Sequence, residues 1–216
     1  VKGLTHKHNA LLIFDETITG FRYSLGGAQE FFGVTPDLAT FGKGMANGYP
    51  LSAVVGNNKV MQKVEDIFFS GTFGGETLSL AAASVIIDLY KAQQVIKHFD
   101  QMGNYLLENL NTLIESEGLS DIFWTSGHPA WSFLHIKAQS QYSVFEIKTF
   151  FLQEMFKRGI LTLGSHNLSF SHSKEDIDKL LTVYQVVLPM IKEHILKKDL
   201  LENIHSVILQ PLFKVR

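Results

Sequence analysis

The chain has 216 residues, of which 45% are apolar, and its formal net charge is −2. This length is enough for a real core, in one large domain or in a large domain with a smaller one. The near-neutral charge gives no electrostatic basis for binding nucleic acid or an anionic membrane, and the absence of cysteine excludes disulfides and thiolate chemistry.

The first residues do not predict a signal peptide, and the sequence begins with Val rather than Met. Its first residues are polar and lead almost directly into an apolar run, with no recognisable opening element. The longest apolar stretch, residues 78–90, is interrupted by polar residues and is too short to span a bilayer. We therefore expect a cytoplasmic fragment that lacks an N-terminal portion and does not enter a membrane.

Residues 1–92 alternate between short apolar runs, loops and helical patterns. The predicted elements are strands at 10–14, 37–41 and 51–55, a glycine- and aromatic-rich loop at 20–33, and helices at 57–66 and 76–90. This alternation predicts an α/β sheet with parallel strands.

Residues 93–216 have a different character, with longer amphipathic patterns. The predicted helices are 95–117, 143–158 and 173–196, the last opened by a capping box; the predicted strands are 131–136, 160–163 and 167–170. The tail 197–216 is interpreted as one more short helix that ends near Pro211. Together these elements predict a small α+β domain.

Two ionisable residues stand directly after predicted strands. Asp15 ends the first apolar run, and Lys43 follows the second strand between two glycines. A charge at the end of a buried strand is costly unless something binds it, and ligands of open α/β sheets gather at the carboxyl ends of strands. One chemistry uses both groups: a lysine that forms a Schiff base with pyridoxal phosphate, and a carboxylate that keeps the pyridine nitrogen protonated.

A second glycine-rich run, at 70–75, precedes the predicted helix 76–90. Its amides, the helix N-terminus and the Thr72 hydroxyl could hold a phosphate. Each feature alone has a simpler explanation: a surface turn at Lys43, a loop cap at Asp15, an ordinary turn before a helix. Their occurrence together and in this order favours a cofactor site.

These residues carry a family resemblance. Residues 14–22, Phe-Asp-Glu-Thr-Ile-Thr-Gly-Phe-Arg, resemble the Asp-Glu-Val-x-Thr-Gly-Phe-Arg signature of class III (fold type I) aminotransferases, and residues 33–43 resemble that family's Pro-Asp-x-x-x-x-x-Lys stretch. Residues 25–30, 71–75 and 170–178 are similar to its glutamate-1-semialdehyde 2,1-aminomutase branch. The resemblance implies that residues 1–92 are part of the large pyridoxal-phosphate domain, with a mainly parallel sheet, and that 93–216 form the small α+β domain.

The resemblance also implies roles for single residues. Lys43 would be the Schiff-base lysine and proton carrier, and Asp15 would pair with the pyridine nitrogen. Thr17 would pack on the ring face, and Thr72 would contact the cofactor phosphate, usually that of the neighbouring subunit of a homodimer. The implied reaction is transfer of an amino group, by a transaminase or an aminomutase, on a small-molecule amino donor or acceptor.

Three departures from the family pattern bear on these roles. Thr17 stands where family members commonly have Val. Ile18 stands where many transaminases have a glutamine that hydrogen-bonds the ring hydroxyl. The region that precedes the Asp15 strand in the family, and supplies much of its substrate pocket, is absent from these 216 residues.

Two alternatives stay open. The chain could be catalytically incomplete, acting only with a missing N-terminal half or as an assembly module. The same scaffold could also carry another reaction, such as racemisation, decarboxylation or amino transfer to a sugar or polyketide.

Overall fold

The computed structural model describes residues 1–68 and 70–211. Within these residues the chain forms two compact units, Val1–His98 and a second that begins at Phe99. Each unit contains its own three-stranded sheet.

The sheet of the first unit consists of β1 (Ile13–Asp15), β2 (Leu38–Phe41) and β3 (Ala53–Gly56), in that order. β1 and β2 are parallel, as predicted, and Asp15 pairs with Thr40. β3 is antiparallel to β2, which differs from the expected parallel pairing. The connection from β2 to β3 is too short for the crossover that a parallel strand requires. The α/β organisation is confirmed, with a mixed sheet at this end.

The helices of the first unit include two that the sequence pattern did not reveal, α1 (Lys2–Lys7) and α2 (Gly27–Phe31). The predicted helix 57–66 is present as α3 (Asn58–Met61) and the 3₁₀ helix Gln62–Asp66. The predicted helix 76–90 is α4 (Thr77–Gln93). A further 3₁₀ helix, Lys43–Met45, follows β2.

The second unit packs helices against one face of an antiparallel sheet. The helices are α5 (Val95–Ser116), α6 (Val144–Lys157) and α7 (Lys174–Lys197), and the strands are β4 (Phe123–His128), β5 (Trp131–Ile136) and β6 (Ser165–Asn167). Capping boxes begin α6 at Ser143 and α7 at Ser173. The largest fully buried side chains come from all of these layers, and among them are Phe123, Phe150, Phe151, Met155, Tyr184, Leu188 and Ile191.

The strand predictions of the second unit are partly wrong. β5 matches its prediction, and β4 was not predicted because its second half is polar. Residues 160–163 do not form a strand, and the strand predicted at 167–170 is displaced toward the N-terminus, because β6 covers Ser165–Asn167 and shares only Asn167 with it. Leu161 and Leu163 are 91% and 70% exposed, so the apolar pattern that suggested a buried strand does not reflect burial in this unit.

After α7 the chain continues as an irregular tail that lies along α6. It begins with the 3₁₀ helix Leu201–Asn203. The Gln153 side chain then donates to the Asn203 carbonyl at 2.9 Å and accepts from the His205 amide at 2.7 Å, and the Thr149 hydroxyl accepts from the Leu209 amide at 2.9 Å. The predicted tail helix, expected to end near Pro211, is therefore wrong over residues 204–211.

Candidate functional site

The parallel pairing of β1 and β2 brings Asp15 and Lys43 to the same edge of the sheet. Asp15 is the last residue of β1, and Lys43 lies two residues beyond the end of β2. Because parallel strands end at a common edge, the acid and the base meet there. Both side chains are exposed.

The Asp15 carboxylate is held through one of its two oxygens. Oδ1 accepts three hydrogen bonds, from the Thr17 amide at 3.0 Å, the Thr17 hydroxyl at 2.5 Å and the Thr40 hydroxyl at 3.0 Å. Oδ2 accepts none from any described residue. The bonds from Thr17 and Thr40, with the nearby charge of Lys43, lower the pKa of Asp15 below its ordinary value. The result is an anionic carboxylate with one oxygen available to a ligand.

The turn that carries Lys43 is anchored by the residues that follow it. Met45 and Ala46 are buried against Ala83 of α4. Lys43 itself has a φ of +28°, in the left-handed region, and its side chain makes no hydrogen bond to a described residue. The backbone is thus fixed while the amine stays available to a ligand.

Three aromatic side chains pack together beside the turn that carries Lys43. The Phe21 ring lies 5.9 Å from the Phe41 ring and 6.1 Å from the Tyr90 ring, edge to face in both cases. A methyl group on Gly20 would lie 2.5 Å from Phe41 Cδ1, so only glycine fits there. Next in the chain, burial lowers the pKa of Arg22, against the opposing effect of Tyr90 and Tyr23.

Glu16 is a site residue that sequence reasoning missed. Its side chain is buried and accepts from the Thr19 hydroxyl at 2.5 Å, the Ala28 amide at 2.7 Å and the Gln29 amide at 2.8 Å. It therefore satisfies the first amides of α2 and fixes the loop that follows Asp15. An acidic pair at the end of a strand does not indicate which of the two side chains points inward. The one sequence signal is the glycine at position 27, which leaves room for a side chain, here that of Glu16, close to the backbone.

Thr72 stands in a separate turn, between the 3₁₀ helix Gln62–Asp66 and α4. It lies in an exposed turn, and no hydrogen bond between described residues joins it to Asp15, Thr17 or Lys43. The amides of Leu78 and Ser79 at the start of α4 donate to Glu76, at 2.8 Å each. A phosphate at this turn would have to use Thr72 and the glycine-rich segment, because those helix amides are already bonded. The phosphate role of Thr72 stays a prediction.

The second unit contains a buried polar relay beside a cleft. His166 bonds the Ser132 hydroxyl at 2.9 Å and the Tyr184 hydroxyl at 2.8 Å, one through each ring nitrogen. Burial lowers the pKa of His166 to about 4 and raises that of Tyr184, so the histidine is neutral near pH 7. The adjoining cleft of about 640 Å³ is lined by residues of 159–168 and by the start of α7.

Two kinds of feature were not found among the described residues. No group of three or more histidine, cysteine, aspartate or glutamate side chains is placed to hold a metal ion. No helix of residues 1–68 or 70–211 is long and apolar enough to cross a membrane.

Comparison with known proteins places this geometry in a family. The model of the class III aminotransferases matches residues 1–183. A glutamate-1-semialdehyde 2,1-aminomutase of Syntrophobacter fumaroxidans is 35% identical over 195 residues, which are 82% of this chain and 44% of the relative. A 3-aminobutyryl-CoA aminotransferase of Cloacimonas acidaminovorans is 32% identical over 180 residues, which are 82% of this chain and 43% of that protein.

Solved structures show the same fold. The FumI protein of a Sphingopyxis species, in its pyridoxal-phosphate internal aldimine form, superposes with a TM-score of 0.80 at 24% identity, over 90% of this chain and 46% of that one. A transaminase with pyridoxal phosphate bound gives the same TM-score at 19% identity, over 89% of this chain and 47% of its own. The chain thus spans somewhat less than half the length of the relatives it matches. The extent of the family match establishes that this chain belongs to the class III aminotransferases.

Proposed function

We propose that this chain carries the lysine and aspartate of a pyridoxal-phosphate site that transfers an amino group, as a transaminase or an aminomutase on a small amino donor or acceptor. The observation that carries the proposal is the placement of Lys43 at the same sheet edge as a carboxylate with one unbonded oxygen. In this proposal residues 1–92 belong to the cofactor domain and 93–216 to the small domain. A homodimer and a cytoplasmic location are part of the same proposal.

The residues at this edge fit the cofactor. Pyridoxal phosphate, when bound, supplies an electron sink for bonds to the substrate carbon. Asp15 Oδ2 would accept the hydrogen of the pyridine nitrogen, since the lowered pKa of Asp15 keeps the carboxylate charged. The Lys43 amine would hold the cofactor through its aldehyde and would be the group that moves a proton at the substrate.

Two further contacts belong to the proposal. Thr17 is hydrogen-bonded to the Asp15 carboxylate and also lies close to Gly42. A methyl group placed on that glycine would be 3.4 Å from the methyl carbon of Thr17. We assign Thr17 to the ring face of the cofactor. We assign Thr72 to the cofactor phosphate, in the neighbouring subunit.

A second candidate function follows from the length of the match. The chain covers 44% of the Syntrophobacter relative, and Lys43 and Asp15 are both exposed. In this candidate, the site would be completed by a segment equivalent to the unmatched part of the relatives. The chain would then act as one component of an assembly.

The test is a visible absorption spectrum of the chain with added pyridoxal phosphate, for wild type, Lys43→Ala and Lys59→Ala. Lys59 is an exposed lysine of α3 and serves as the matched control. We expect the band of the lysine-bound cofactor in wild type and Lys59→Ala, and its loss in Lys43→Ala. Borohydride reduction and peptide mapping should place the adduct on Lys43. An adduct scattered over surface lysines would contradict a cofactor site in the chain alone and favour the second candidate.

A further inference from the structure

The Asp15 carboxylate is asymmetric before any ligand binds. All three of its hydrogen bonds end on Oδ1, and Oδ2 has no donor among the described residues. A carboxylate on a flexible surface loop would rotate freely. This one is fixed by bonds from two different segments of the chain.

The two hydroxyl donors are placed by the backbone. Thr40 lies opposite Asp15 in the β1–β2 register, and its carbonyl accepts from the Glu16 amide at 2.9 Å. Thr17 donates through both its amide and its hydroxyl, as in the short Asp turns that follow strands. The donors are therefore preorganised by sheet pairing and by a local turn.

Donors on Oδ1 change what Oδ2 can do. They stabilise the anion and make it a weaker base. They also fix the carboxylate plane, so that the second oxygen has one direction. At position 17 the hydroxyl is a feature of this chain, because valine, the residue common there in the family it resembles, could donate only through its amide.

We propose that Thr17 and Thr40 are positioning residues that, by binding Oδ1, aim Oδ2 of Asp15 at the pyridine nitrogen of the cofactor and leave the proton on that nitrogen. This role rests on the proposed function, since it requires pyridoxal phosphate at Asp15. No bond is made or broken by the threonines. In this role they act through the Asp15 carboxylate, and the contact of Thr17 with the ring face is separate from it.

The first experiment needs no cofactor. Chain labelled with ¹³C at the aspartate carboxyl carbons is titrated by NMR, and the Asp15 signal is identified by its absence in Asp15→Asn. Thr17→Val and Thr40→Val each remove one hydroxyl that lowers the pKa of Asp15, and each should therefore raise that pKa toward its ordinary value. Thr17→Ser keeps the donor and should leave the titration unchanged. An Asp15 signal that titrates alike in wild type and both valine variants would overturn the proposal.

The second experiment uses bound pyridoxal phosphate labelled with ¹⁵N in the ring. In the Thr17→Val/Thr40→Val double variant, the stronger base at Asp15 should draw the proton away from the ring. The ¹⁵N resonance should then move toward the value of the unprotonated ring, whereas Thr17→Ser should match wild type. Bound cofactor with an unchanged resonance would overturn the role of the threonines alone. Wild-type chain that binds no cofactor would overturn the proposed function and this role together.

Discussion

Adjacent residues at the end of β1 have opposite environments. Asp15 is exposed and keeps one free oxygen, whereas Glu16 is buried and its oxygens accept from α2 and Thr19. The alternation of a strand explains the difference, because successive side chains point to opposite faces. One acid of the pair is therefore available to a ligand, and the other holds the loop that frames it.

His166 makes the second unit sensitive to acid. Its pKa of about 4 lies below the ordinary value of 6.5, so the unfolded state binds a proton first as the pH falls. The contribution of neutral His166 to stability is therefore fully present above about pH 6.5 and is lost as the pH falls to about 4. Below about pH 4 no further stability is lost through this residue. We expect His166 alone to lower the free energy of unfolding by about 3 kcal/mol as the pH falls from 6.5 to 4.

Urea unfolding monitored by tryptophan fluorescence measures this effect. Both tryptophans, Trp124 and Trp131, lie in the sheet of the second unit. His166→Gln should flatten the dependence of the free energy of unfolding on pH between 6.5 and 4. His205→Gln, at an exposed position, should leave it as in wild type. Equal slopes in His166→Gln and wild type would contradict the assignment.

The start of helix α2 is bonded to Glu16 through the amides of Ala28 and Gln29, and the first residue of the helix, Gly27, lies against the same carboxylate. Gly27 has a φ of +81°, and a methyl group there would lie 2.6 Å from Glu16 Oε2. Gly33, just after the helix, has a φ of +65° with open space around it. The two glycines therefore separate backbone strain from steric displacement of the glutamate.

We expect Gly27→Ala to destabilise α2 by about 2 kcal/mol more than Gly33→Ala. The control carries only the cost of the left-handed backbone, of about 1 kcal/mol, whereas Gly27→Ala also pushes Glu16 away from the helix amides. Hydrogen exchange at the amides of Ala28 and Gln29 measures this directly. Similar exchange rates in both variants would show that the glutamate contact does not stabilise the helix.

The elements that the sequence predicted well are those whose hydrophobic pattern matches their burial. α6 and α7 begin at capping boxes, and β5 alternates between buried and half-buried residues. α2 could not be predicted, because its amides are satisfied by a glutamate twelve residues earlier at the closest point. The strand prediction for residues 160–163 failed because the pattern there does not match burial: the run is apolar, but its leucines are exposed.

The candidate site divides in the same way. Asp15 and Lys43 could be found because each interrupts an apolar or glycine-rich run at the end of a strand. The hydroxyl of Thr40 could not be assigned to Asp15, because that contact depends on the register of two strands. Register is a property of pairing and has no local signal here.

At the scale of the whole molecule, the first unit leaves one sheet face open. Ile13 and Val54 lie on the face that carries Asp15 and are 56% and 48% exposed. Ile13 lies on β1 and Val54 on β3, on either side of the central strand β2, and exposed apolar residues of this kind favour association. The face is also the one where the site of Asp15 opens.

We expect the chain to self-associate through this face. Ile13→Thr/Val54→Thr should lower the association constant by about tenfold, since two exposed apolar side chains lose about 1–2 kcal/mol of burial. Leu196→Thr, at an exposed leucine near the end of α7, should have no comparable effect. Sedimentation velocity over a concentration series measures the difference. Identical sedimentation of the double variant and wild type would contradict this use of the face.

The bonds between α6 and the tail have a consequence for how this protein can vary among its homologues. The hydrogen bonds from Gln153 and Thr149 to residues 203–209 all end on main-chain atoms. These three bonds therefore do not depend on which side chains the tail carries. The exceptions are proline at 205 or 209, which would remove a donor. The tail lies beyond the family match, which ends at residue 183. Its side chains can therefore differ among homologues while these bonds are kept, provided that Thr149 and Gln153 of α6 do not change.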